Sequence, residues 1–206
     1  MALVKYNNNS LSAITEASSL PAGTMTLIKE QTASADATIS FVDGTSDVVL
    51  DNTYPIYLFK FINIHPSADN VYFEVGFRDG STAYDATKTT TYFRAYQYEA
   101  EATTALEYRT AEDLAQSTSF QRLTEGTGAD NDQSCSGTLH LFNPSSTTFV
   151  KHFIANIHSA HAVDTAESNF IAGYCNVTAA IDAVQFKMVS GNIDAGTFKL
   201  YGIKDS

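Results

Sequence analysis

The chain has 206 residues, 44% of them hydrophobic and only 17% charged, with a formal net charge of −11. That length allows one large domain with a sizeable core and no need of metal or disulfide staples. The acidity excludes electrostatic attraction to nucleic acid or to anionic membranes, and no apolar run approaches the ~20 residues of a bilayer-spanning helix.

Residues 1–22 differ from the remainder. They are rich in Asn and Ser, and their apolar residues, Leu3, Val4, Tyr6, Leu11 and Ile14, are scattered. Pro21 and Gly23 then punctuate the chain. We read 1–22 as an extended N-terminal arm that docks onto a neighbouring protein. Ordering such a segment costs about 1–2 kcal/mol per residue, so the five apolar residues must be buried by the docking. The segment has no long apolar centre of the secretory kind, so synthesis and folding in a cytoplasm are expected.

Residues 23–206 read as a single domain of many short strands. Candidates are 24–31, 38–42, 48–50, 57–64, 71–78, 92–98, 117–123, 137–142, 147–157, 170–177, 184–189 and 197–203, separated by turn pairs such as Asp43-Gly44, Asp79-Gly80, Asn143-Pro144 and Gly191-Asn192. Alternation is clear in Val71, Phe73, Val75 and Phe77, and again in Val184, Phe186 and Met188. By contrast, 57–64 is apolar on both faces, with Tyr57, Phe59 and Phe61 on one and Leu58, Ile62 and Ile64 on the other. The stretch 149–157 is likewise two-faced, so both strands are expected to be covered on two sides. Helical signals are weak: 111–116 allows a turn or two, and 155–167, free of Gly and Pro, allows a short helix. The expectation is an all-β domain, a sandwich or barrel of many short strands. Its low charge suits packed assemblies, since about 25% charged residues is usual.

Chemistry is sparse. Cys135 and Cys175 form no CxxC pair and are expected as buried free thiols. Cys135 and His140, five residues apart on one strand, face opposite sides, which disfavours a thiol–imidazole pair. His152, His158, His161 and Asp164 form the one histidine cluster, but a metal needs three or four ligands converging on one point. Asp130-Asn131-Asp132 offers oxygen ligands without the glycine and glutamate of a calcium loop. Glu99, Glu101, Glu107, Glu112 and Asp113 read as surface charge. No GxSxG, HExxH or phosphate-binding glycine loop occurs, so no catalytic residue, cofactor or metal is assigned.

The most informative surface feature is a tyrosine row. If Phe93 and Ala95 face the core, then Tyr92, Arg94, Tyr96 and Tyr98 face outward. Tyrosine and arginine are enriched in interface cores, so this row is a candidate subunit interface. Packing inside the fold and a sugar-binding surface are the alternatives.

The strings MALVKYNNNSLSAIT, TISFVDGTSDVVLDNTYPIYLFKFINIHP, LAQSTSFQRL and AIDAVQFKMVSGNIDAGTFKLYGIK resemble virion proteins of marine tailed phages, particularly those infecting cyanobacteria. The resemblance spans most of the chain and carries no catalytic residue. It implies a jelly-roll-like antiparallel β-sandwich and a structural protein on the virion surface, assembled in the host cytoplasm and trimeric. Its partners would be copies of itself and a major capsid or tail protein. A capsid decoration or cement protein that stabilises the head is the leading expectation. A tail-fibre or receptor-binding tip that binds a host surface glycan is the alternative.

Overall fold

The computed structural model describes residues 25–204, which form twelve strands. They are β1 (Met25–Asp36), β2 (Ile39–Val42), β3 (Ile56–Pro66), β4 (Phe73–Arg78), β5 (Lys88–Tyr98), β6 (Thr104–Tyr108), β7 (Gln121–Arg122), β8 (Cys135–Phe142), β9 (Lys151–His161), β10 (Thr165–Cys175), β11 (Ala183–Met188) and β12 (Ile193–Ile203). The expected arm, with Leu3, Val4, Tyr6, Leu11 and Ile14, lies outside the described residues.

All pairings are antiparallel. One sheet has eight strands in the order β1-β12-β3-β8-β9-β10-β5-β6, and the other has four in the order β2-β11-β4-β7. The fold is therefore an all-β sandwich of unequal sheets. The chain crosses repeatedly between them, so most pairings join segments distant in sequence.

Phenylalanine fills the space between the sheets. Phe59 and Phe61 of β3 and Phe198 of β12 meet Phe41 of β2, Phe73 of β4 and Phe186 of β11, with ring centroids 4.9 to 6.3 Å apart. Most pairs are edge-on, the arrangement the ring quadrupole favours. Val48 and Leu50, expected as a strand, lie in a loop but still plug this core. The loop is folded back by Asp43 Oδ1, which accepts a hydrogen bond from the Leu50 amide at 2.8 Å.

The expected two-sided burial of 57–64 is resolved by a bulge. Asn63 adopts a φ of 51°, and the β3–β8 register shifts between Phe61 and Ile64. Ile64 therefore joins Tyr57, Phe59 and Phe61 in the core, while Ile62 stays exposed. Opposite the bulge stands Gly196, at φ 129°, where an added Cβ would come within 2.8 Å of the Asn63 carbonyl oxygen and the Ile64 Cα. Gly196→Ala is expected to lower stability by roughly 1–3 kcal/mol, read as a lower urea midpoint with an unchanged slope.

The helical expectations fail. Residues 155–167 form the β9–β10 hairpin, turned at 162–164 with Asp164 at φ 52°. His161 and Thr165 close it as opposite partners. Residues 111–116 hold one turn, in which Asp113 donates its amide to the Arg109 carbonyl. Strand β6 was not expected, and only Gln121 and Arg122 of 117–123 form a strand.

Candidate functional site

The tyrosine row does not face outward as a unit. Tyr92 is 0% exposed and part of the core, while Phe93 is 41% exposed on the opposite face. The reason is that β5 turns its polar residues inward. Lys88 is fully buried and donates to the Ala86 carbonyl at 2.7 Å; Thr90 donates to Gln121 Oε1 at 2.6 Å. Tyr92 follows them and donates its hydroxyl hydrogen to Asn169 Oδ1 at 2.7 Å. Tyr96 and Tyr98 are half-buried and pack edge-on, with the Arg94 guanidinium 4.7 Å from the Tyr96 ring centroid. Tyr92 therefore packs within the fold, while Arg94, Tyr96 and Tyr98 remain partly accessible.

Arg94 is the centre of a charge network. It bonds Glu107 on β6 at 2.8 Å and Glu167 on β10 at 2.6 Å, and it also pairs with Glu125. Arg109 pairs with Glu107, Glu112 and Glu125, and Arg122 pairs with Glu112. These carboxylates and guanidiniums tie the 109–125 segment to β5, β6 and β10 of the large sheet. Burial raises the pKa of Glu167 to about 7: the Arg94 charge opposes the shift and the Glu125 charge reinforces it. Its Oε2 is buried without a hydrogen-bond partner, as is that of Glu112.

The remaining candidate groups do not converge. Cys135 and Cys175 are free and buried, and burial pushes both thiols up to about 12, far from nucleophilic. Their β9 partners, Ser159 and Lys151, stand eight positions apart, roughly 26 Å along the strand. Cys135 points into the core while His140 lies on the other face. His152 and His158 alternate along the outer face of β9, and His161 sits at the hairpin end. Among the described residues no group of His, Cys, Asp and Glu is arranged to hold a metal. Asp130 and Asp132 belong to a turn in which the Asp130 carbonyl accepts from the Gln133 amide at 2.8 Å.

What the strands present outward mixes aromatic and aliphatic side chains with uncharged polar ones. The register aligns Asn156, Phe170, Phe93 and Tyr108 in one row across β9, β10, β5 and β6. A parallel row holds His140, Ile154, Ala172 and Thr91, and another holds His152, Tyr174 and Thr89. Phe93 and Phe170 are stacked with centroids 5.0 Å apart. Leu106 is 73% exposed, Tyr108 51% and Ile154 51%. No layer of the described chain covers them. Sequence periodicity could not reveal this face, because Phe93 reads as a core residue. No family model matches the chain, and no curated protein or solved structure matches it.

Proposed function

We propose that this is a non-enzymatic structural protein of a phage particle's exterior that works by assembling with copies of itself. The observation that carries the reading is the uncovered outer face of the eight-stranded sheet. Monomers rarely leave apolar side chains exposed in such rows, and they usually guard sheet edges. Among the described residues, β1 and β6 each pair on one side only, and Leu27 and Leu106 are exposed on them. Joining one copy's β6 region to the next copy's β1 region is a head-to-tail contact that can close into a ring, and a trimer is the reading taken.

The strand order supports a jelly-roll reading. Strands β1-β12-β3-β8 opposite β2-β11-β4-β7 give the interleaving of that fold, with β5–β6 and β9–β10 as hairpins added to one sheet. Jelly rolls serve viral shells and lectins alike, so this support is analogy at the level of fold. Head decoration remains the leading placement, with residues 1–22 assigned the docking on a neighbouring capsid protein from their sequence alone.

Light scattering on the purified chain is expected to give three times the chain's mass, and Leu106→Lys is expected to give the single mass. If both run as monomers, or both as trimers, edge assembly through β6 is wrong. A second reading, a receptor-contacting tip on the tail, is favoured by one feature: a trough in the outer face.

A further inference from the structure

The trough is an open depression of about 410 Å³ over β9, β10 and β5. Its floor is the row Ile154, Ala172 and Thr91, whose small middle members leave space above the sheet. Along one side stand His152 and Tyr174, edge to face with centroids 5.9 Å apart. The stacked Phe93–Phe170 pair stands two residues further along each strand, outside the residues that line the trough. No Asp, Glu, Lys or Arg lines the trough, although the chain carries a net charge of −11.

Thr89 of the lining is held by neighbours that stand just beyond the Tyr174 end, outside the lining itself. Gln116 donates both its backbone amide, at 3.2 Å, and its side-chain amide, at 3.0 Å, to the Thr89 hydroxyl. Its side-chain oxygen accepts from Asn176 Nδ2 at 2.9 Å. Gln116 holds this position with φ at 50°, a left-handed conformation uncommon outside glycine and often found at binding sites. Three exposed or half-exposed polar side chains are thus fixed at the Tyr174 end, with donors and acceptors still unused.

We propose that this trough binds a neutral saccharide. The volume is that of a small-ligand site, mostly apolar with a few placed polar groups. Tyrosine and histidine offer a flat apolar face for the C–H side of a pyranose and a polar tip for its hydroxyls. The preset hydroxyl–amide chain of Thr89, Gln116 and Asn176 can both donate to and accept from a sugar diol. The absence of charge favours an uncharged ligand. The proposal stands on the trough and does not depend on where in a particle the chain sits.

The test is calorimetric titration of the full chain with neutral hexose trisaccharides of glucose, mannose and galactose, alongside a uronate trisaccharide. Binding of at least one neutral trisaccharide in the millimolar range or tighter is expected. Thr91→Arg, which fills the trough from an exposed position, should abolish it, and Tyr174→Ala should weaken it about tenfold or more. Thermal melts of both variants confirm folding. No binding of any neutral trisaccharide, equal binding in Thr91→Arg, or preference for the uronate would each overturn the proposal. Light scattering on the same samples keeps it distinct from assembly: if Thr91→Arg loses trimerisation but binds sugar unchanged, the trough is a copy interface and the saccharide reading falls.

Discussion

Replacing Arg94 with methionine is expected to destabilise the chain by roughly 3–5 kcal/mol, the usual consequence of removing one partner from a buried ion cluster. The cost lies in what the guanidinium leaves behind. Glu167 is 2% exposed and Glu125 8%, and both pair with Arg94. Without it, Glu167 loses its pairing cation, and Glu125 keeps only Arg109, which also serves Glu107 and Glu112. Methionine restores the volume of the stem, so the loss reports charge rather than packing. The pH dependence separates this cause from a cavity. Protonating the stranded carboxylates removes their penalty, so the deficit of Arg94→Met should shrink on acidification to pH about 5. Adding Glu167→Gln should recover part of it at neutral pH, because sites in one network are not additive. Urea unfolding of the four combinations checks this. A deficit independent of pH, or one fully additive with Glu167→Gln, would mean that the network matters only as packing.

The all-β class was legible from short alternating segments and turn pairs, and nearly every expected strand coincides in part with one in the structure. The failures share a physical origin. Period-2 reasoning assigns the apolar face to the core, and on β5 that put Phe93 inward and Tyr92 outward. The structure does the reverse, because Lys88, Thr90 and Arg94 are buried among specific partners that no local pattern announces. Pairing between distant segments also hid the charge network. Arg94, Glu107, Glu125 and Glu167 belong to four segments; sheet register brings Arg94, Glu107 and Glu167 together, and the loop after β7 adds Glu125. Likewise the bulge at Asn63 depends on Gly196, far along the chain, so the two-faced apolar pattern of β3 could not be decoded locally. The trough is a product of register too: Thr91, Ala172 and Ile154 are unremarkable until they stand side by side. What the sequence did foretell at residue level was the separation of Cys135 from His140, since faces within a single strand need no partner to be assigned.

Stability is expected to fall as pH rises from about 4.5 through about 7, and Glu167→Gln is expected to remove that fall. The network sets four carboxylates, Glu107, Glu112, Glu125 and Glu167, against the three guanidiniums of Arg94, Arg109 and Arg122. One carboxylate is in excess, and Glu167, the most buried, is the one whose pKa burial raises to about 7 from an ordinary 4.5. Its unpartnered Oε2 is the natural seat of the proton, while Oε1 accepts from Arg94. Because the folded pKa lies above the unfolded one, the native state binds more protons between the two values. The contribution is fully present below pH about 4.5 and is lost as pH passes about 7, with a total on the order of 3 kcal/mol. Other groups act in the same range: burial also raises Glu74, giving the same sign, and lowers His140 and His161, giving the opposite one. Those groups remain in the variant, so the difference between variant and wild type isolates Glu167. Glutamine keeps the shape and the neutral state at every pH. Relative to wild type, Glu167→Gln should therefore be near-equal at pH 5 and more stable at pH 8, measured as urea midpoints. Parallel profiles across that range would show that Glu167 is ionised in the native state and that its three-way sharing of Arg94 suffices to hold the charge.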